Sequence, residues 1–283
     1  MATAAPAGVG RWRGGVLSRA SLKEYGIRLL EATVGGIVLI VLLEEILGFS
    51  LLDTAFWSRF GPALQRGFTG TLGYSAAIIP VGFAIGFLGG WARISRHRAL
   101  SWPVETFVDL FRGIPPIVLI IFAFLFGPGL LPQRGGLAIG LNFAAFALAL
   151  HTAAYQIEIF RAGFQSVPRG QLEAAQAIGL NRWQTMGIIV LPQTFRLSLP
   201  ALGNEFATVI KDTSLLGALG AIELFSSGQE FSALAPQTGL FGWVFAVWVV
   251  VSAVYFFLTF AVTRGLLAVE RKYRVPGMEV SGL

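Results

Sequence analysis

The chain has 283 residues, of which 55% are hydrophobic and only 13% charged, with a mean hydropathy of +0.71 and a formal net charge of +6. A soluble domain carries about a quarter charged residues, so this composition excludes an ordinary soluble protein and points to an all-α integral membrane protein. With no cysteine and only two histidines, His97 and His151, the chain offers neither a disulfide framework nor a metal site, and no Gly-x-x-x-x-Gly-Lys-Ser/Thr cradle for nucleotide phosphates occurs.

Residues 1–28 form a Gly- and Arg-rich tail, read as cytoplasmic. Residues 29–52 are apolar apart from Glu31, Glu44 and Glu45. They are read as an additional transmembrane helix followed by an outer loop to residue 60, with an interfacial helix as the alternative. A cleaved signal fits poorly, because Glu44-Glu45 stands where small residues should mark the cut. Further apolar segments lie at about 67–91, 107–126, 141–160, 197–216 and 240–267, each near the 20 residues or so a helix needs to cross a bilayer. About six transmembrane helices are therefore expected, with a C-terminal tail at 275–283. On the second segment Gly82 and Gly86, with Gly89 and Gly90, make a smooth face for close helix packing.

The basic residues collect at the segment ends. If all six segments cross, Arg11, Arg13, Arg19, Lys23 and Arg28 share one side with Arg93, Arg96, Arg98 and Arg112, with Arg161, Arg169, Arg182 and Arg196, and with Arg264, Arg271, Lys272 and Arg274. Only Arg59, Arg66 and Arg134 fall on the other side, and Lys211 lies within a span. The positive-inside rule then puts both termini in the cytoplasm, and the arginines beside the spans meet anionic membrane lipid. No basic helix with interleaved stacking aromatics occurs, so the positive charge does not imply nucleic acid.

Charged groups inside spans are costly and tend to face a protein interior or a watery path. On the fourth segment His151, Tyr155 and Glu158 share a face; on the fifth, Asn204, Thr208 and Lys211 form one stripe and Glu205, Thr208 and Asp212 a neighbouring one. These faces are candidates for lining the path of a zwitterionic substrate, with Glu158 or Asp212 meeting an ammonium and Lys211 or Asn204 a carboxylate. The alternative is pairing among themselves, as in Glu158 with Arg161, while His151 suits a plain interhelical hydrogen bond.

The connection between the fourth and fifth spans, about 161–196, is long for a loop. Pro168 precedes Arg169-Gly170-Gln171, and a short helix is then expected from Glu173 to Ile178, ended by Gly179, the residue type that tolerates a left-handed cap; Asn181 can start a second helix. Two short helices joined at a glycine make a compact knob.

The run from Glu173-Ala174-Ala175 through Gly179 to Ile189-Val190-Leu191-Pro192 resembles the EAA loop of ABC importer permeases. With Leu110-Phe111-Arg112-Gly113-Ile114-Pro115, Ala154-Tyr155-Gln156-Ile157-Glu158-Ile159-Phe160-Arg161, Gly203-Asn204-Glu205-Phe206 and Lys211-Asp212-Thr213-Ser214-Leu215, the chain is similar to the polar amino acid branch of that family over most of residues 67–274. The resemblance implies an ABC type I importer permease fold in the cell inner membrane, with no catalytic site and no cofactor of its own. It also implies a cytoplasmic ABC ATPase dimer that binds ATP and Mg, a second permease copy or related permease, an external substrate-binding protein and an amino acid substrate. Glu173, Ala174, Ala175, Gly179 and Leu180 take the ATPase-coupling role by that resemblance. Two departures stand out: the segment before residue 60 lies outside the usual five-span core, and Pro116 to Ile121 is apolar where relatives often carry a glutamine. A secondary transporter using Glu158 and Lys211 is the competing reading; it leaves the EAA pattern unexplained, and the interrupted repeats it favours are not detected.

Overall fold

The computed structural model describes residues 19–47, 51–131, 136–234 and 241–272. Arg11, Arg13, Arg134, Arg274 and the tail 275–283 lie outside the described residues. The chain divides into two compact units between Leu51 and Leu52. The first contains α1 (Arg19–Leu47), where Leu30, Ile37, Val38 and Leu42 are all more than half exposed. Glu44 accepts a hydrogen bond from the Leu51 amide, closing the end of that unit.

The second unit is all-helical among its described residues. It opens with α2 (Thr54–Arg93), whose 40 residues extend about 60 Å at the helical rise. Asp53 caps it through Oδ1, which accepts from the Ala55 amide at 2.8 Å. The helix begins well before the apolar stretch that starts at residue 67, because aromatic packing rather than lipid-facing hydropathy secures its first turns. Phe56 and Phe60 are fully buried against Phe231 and Trp243.

Next come α3 (Arg98–Gly113) and α4 (Pro116–Phe126), followed by a 3₁₀ turn at Gly127–Leu130. Hydropathy suggests one continuous span over 107–126; the structure corrects this to two helices bent by 101°. The cause is local. Ile114 precedes a proline, which excludes the helical region and holds it extended at φ −107°, ψ 132°, and Pro115 has no amide to continue the ladder.

At the centre lies α5 (Leu137–Gln165), more buried than α2 or α10. The small face expected on α2 is its seat: a Cβ added at Gly82, Gly86, Gly89 or Gly90 would collide with Thr152, Gln156, Ile157 or Phe160 of α5. After α5 come α6 (Arg169–Ala177), α7 (Arg182–Thr185), a π turn at Met186–Val190, α8 (Leu191–Gly217), α9 (Leu224–Leu234) and α10 (Phe241–Lys272). The π turn lets α8 carry Pro192 near its start: the Leu191 amide donates to the Met186 carbonyl, five residues back. Among the described residues two apolar cores form. One joins Ile78, Ile120, Leu148, Val209 and Leu216; the other joins Phe160, Phe164, Val167, Val190 and Leu202. Among the described residues α2, α5 and most of α10 are each long and apolar enough to cross a membrane, and the bent α3–α4 pair has the length and composition of a broken span or a re-entrant loop.

Candidate functional site

The knob after α5 is built from local signals. Pro168 starts α6, and its end is a Schellman motif: the Leu180 amide donates to the Ala175 carbonyl at 3.0 Å, the Gly179 amide donates to the Gln176 carbonyl at 3.0 Å, and Gly179 sits at φ +82°. Asn181 then opens α7 with a reciprocal capping box, exchanging hydrogen bonds with Gln184 at 2.9 Å each way. The five residues of the EAA pattern divide by exposure. Glu173, Ala174 and Gly179 face outward, Leu180 is half-buried, and Ala175 is 1% exposed. Beside the outward ones stand two large apolar side chains, Ile178 at 75% and Trp183 at 77% exposure. A side-chain hydrogen bond from Gln193 of α8 to Gln171 of α6 ties the knob back to the bundle.

The break between α3 and α4 frees a backbone carbonyl. In an unbroken helix the amide of residue 115 would donate to the Phe111 carbonyl, but residue 115 is proline. His151 of α5 supplies the missing donor through Nδ1, 2.9 Å from that carbonyl oxygen. The interhelical role expected for His151 is thus observed, and its partner is the orphan created by the proline. One residue further on, the Arg112 guanidinium lies 5.0 Å from the centre of the Tyr155 ring, within cation–π range.

The seven polar candidates do not meet in one pocket. Asn204, Thr208 and Lys211 share a groove of about 630 Å³ between α8 and α10, whose other wall includes Thr259, Thr263 and Arg264. Asn204 and Lys211 are exposed there. The α10 hydroxyls and Arg264 escape sequence reasoning, because nothing along the chain marks which face of that apolar helix meets α8. Glu205, next to Asn204 in sequence, turns instead toward α5, where it accepts from Thr152 Oγ1; Thr152 in turn accepts from Gln156 Nε2 at 3.3 Å. Asp212 is half-buried and outside the groove lining.

Glu158 belongs to a charge cluster at the junction of three helices. Its Oε2 accepts from Arg161 Nη2 at 2.7 Å and Nε at 2.9 Å, and Arg161 reaches on to Gln165 at 2.8 Å. Arg93, at the end of α2, holds Glu105 of α3 at 3.0 Å and faces Glu158 at 3.8 Å.

A second carboxylate, which sequence reasoning passes over, is Glu223, fully buried just before α9. It accepts from the amides of Phe225 and Ser226, capping α9, and from the Tyr255 hydroxyl of α10. Gly67 and Gly70 of α2 and Gly217 of α8 leave no space for a Cβ against residues 222, 223 and 227. Neighbouring Leu224 donates its amide to Thr71 Oγ1 of α2.

Comparison with known proteins gives this geometry its context. Residues 78–275 match the family described as binding-protein-dependent transport system inner membrane component. The chain is 34% identical over 206 residues to a probable glutamine ABC transporter permease of Bacillus subtilis, covering 73% of this chain and 91% of that protein. It is 34% identical over 180 residues to a glutamate/aspartate import permease of Escherichia coli O157:H7, covering 61% and 80%, and 30% identical over 224 residues to an L-cystine transport system permease of Bacillus subtilis, covering 79% and 90%. Among solved structures, a chain of an amino acid ABC transporter superposes with a TM-score of 0.67 at 24% identity, covering 79% of this chain and all of that one. A chain of the MetNI methionine ABC transporter superposes at 0.62 and 22% identity, covering 75% and 97%. The match runs through the bent pair, the knob and the α8–α10 groove alike, and it leaves the secondary-transporter reading without support. The chain belongs to the binding-protein-dependent transport system inner membrane component family and is a non-catalytic, multi-pass permease subunit of an ABC importer.

Proposed function

We propose that this permease carries polar amino acids into the cell, driven by a cytoplasmic ABC ATPase dimer that binds ATP and Mg and receives the α6–α7 knob in a groove. The observation that carries this reading is the knob itself: a short helix, a left-handed glycine turn and a capped second helix that leave Glu173, Ala174, Ile178 and Trp183 exposed beside one another in sequence. In this reading Glu173 and Ala174 touch the ATPase, Gly179 makes the turn, and Ala175 and Leu180 hold the knob to the permease. The substrate class is supported by the relatives, whose names specify glutamine, glutamate or aspartate, and cystine.

An external binding protein delivers the substrate, and a second permease, identical or related, covers the α8–α10 groove. An exposed lysine partway along a membrane helix is costly against lipid and tolerable against a watery path. Asn204, Thr208 and Lys211 therefore line that path, with Glu205 and Asp212 on the adjoining side of α8 and Tyr155 on α5. The arginine distribution supports cytoplasmic termini, with α1 as an additional crossing helix outside the family match. The test is ATP-driven uptake of labelled glutamine, glutamate and cystine into liposomes holding the complete importer. Uptake of at least one, competed by its unlabelled form, is expected; ATP hydrolysis with none carried would reject the substrate class.

A further inference from the structure

The cluster around Glu158 combines three features that a static ion pair lacks. It joins three elements, with Arg93 ending α2, Glu105 on α3, and Glu158 and Arg161 on α5. It stands directly before the knob, because α5 ends at Gln165, which Arg161 holds, and α6 begins at Arg169. It is also incompletely made. Arg93 Nε and Glu158 Oε1 are both buried, neither has a hydrogen-bond partner, and they face each other at 3.8 Å. That gap is about 1 Å beyond a charge-assisted hydrogen bond. Buried polar atoms are normally paired, so two facing orphans mark a contact that another arrangement of the same helices completes.

We propose that Arg93, Glu158 and Arg161 form a coupling clasp, in which Arg93 is shared between Glu105 and Glu158 and closes on Glu158 when the knob moves the end of α5. The clasp passes displacement of α6 into α2 and into α3, the first arm of the broken helix. This assigns Glu158 to coupling and takes it off the substrate path. The surroundings fit that role. All four charged side chains are partly exposed, between 21% and 47%, which leaves room for partners to exchange. Arg112 lies above the neighbouring Tyr155 ring, at the lip of the α3–α4 break.

This inference rests on the proposed ATPase coupling, and its test separates the two. The complete importer in liposomes is compared with Glu158→Gln, Arg93→Gln, the double variant and Arg93→Lys, reading uptake per ATP hydrolysed, substrate KM and ATPase retention on purification. Each neutralising variant should keep its ATPase and its KM, yet lose about ten-fold in uptake per ATP. The double variant should be no worse than either single one, since both remove the same contact. Arg93→Lys, which keeps the charge, should recover part of the loss. An unchanged uptake per ATP, additive losses in the double variant, or a raised KM for Glu158→Gln would each overturn the clasp. Failure of the unaltered complex to carry amino acids would count against the proposed substrate instead, and the clasp would then be decided by ATP hydrolysis. Variants that leave the ATPase rate and its response to the binding protein unchanged would reject it.

Discussion

Two carboxylates, Glu223 and Glu158, occupy opposite kinds of surroundings. Glu223 is wholly enclosed, has no ion-pair partner among the described residues, and is satisfied by two amides and a hydroxyl, with glycines of α2 and α8 pressed against its loop. Glu158 is partly open, sits among arginines, and leaves one oxygen without a hydrogen bond. The first joins α2, α8, α9 and α10 through contacts that are all made in a closed site. The second joins α2, α3 and α5 through contacts that can be exchanged. An alternating transporter needs both a joint that holds and a joint that shifts, and complete versus incomplete satisfaction of polar atoms distinguishes them here.

The sharpest way to break the comparison is to remove each carboxylate. Glu223→Leu takes the acceptor from the Phe225 and Ser226 amides in a closed site and the carboxylate partner from the Tyr255 hydroxyl, and should destabilise the fold by about 3 kcal/mol or more. Glu158→Leu leaves arginines that still reach water, and should cost about 1 kcal/mol or less. Thermal unfolding of the purified protein in detergent checks both, and equal losses would collapse the distinction.

Glycine spacing offers the next test. A Cβ at Gly70 would run into the Ile222 carbonyl, so Gly70→Val should cost about 1–3 kcal/mol, whereas at Gly73, one turn away, nothing lies within 4 Å and Gly73→Val should be neutral or slightly stabilising. Similar unfolding temperatures for the two would show that α9 does not press on α2 as described.

A smaller effect sharpens the account of the broken helix. His151→Phe keeps an aromatic ring, a slightly larger one, but leaves the Phe111 carbonyl unpaired, and should cost about 1–2 kcal/mol. His151→Gln, which retains a donor, should recover part of this in the same unfolding assay. An unaltered transition for His151→Phe would mean that the bend does not depend on that hydrogen bond.

What could be read from the sequence follows from how local each signal is. The end of α6 and the start of α7 were legible because Gly179 and Asn181 act within a few residues of themselves, whereas the Gln184 half of the capping box was not read. The interhelical role of His151 was legible as a residue type, though its partner lies 40 residues away. The bend at Ile114-Pro115-Pro116 was written in the chain, but hydropathy averages across it and reads one span. The outer turns of α2 were missed because Phe56 and Phe60 are held by Phe231 and Trp243, far along the chain. Glu223 was invisible for the same reason: its value depends on Thr71 and Tyr255, and no motif connects them. Helical spacing puts Asn204, Thr208 and Lys211 on one stripe of α8, and they line one groove, yet only packing reveals that Glu205 faces Thr152 while its neighbour Asn204 faces that groove.

Coupling through the knob is the claim on which the rest depends, and purification of the chain from its native membranes in mild detergent, beside a Gly179→Arg variant, tests it most directly. Gly179 adopts φ +82°, so arginine there both strains the turn and places a bulky cation on the exposed tip. The account predicts an ABC ATPase that accompanies the native chain and is lost from an otherwise folded variant. An ATPase retained equally by the variant, or absent from the native preparation under conditions where a known importer complex survives, would contradict it.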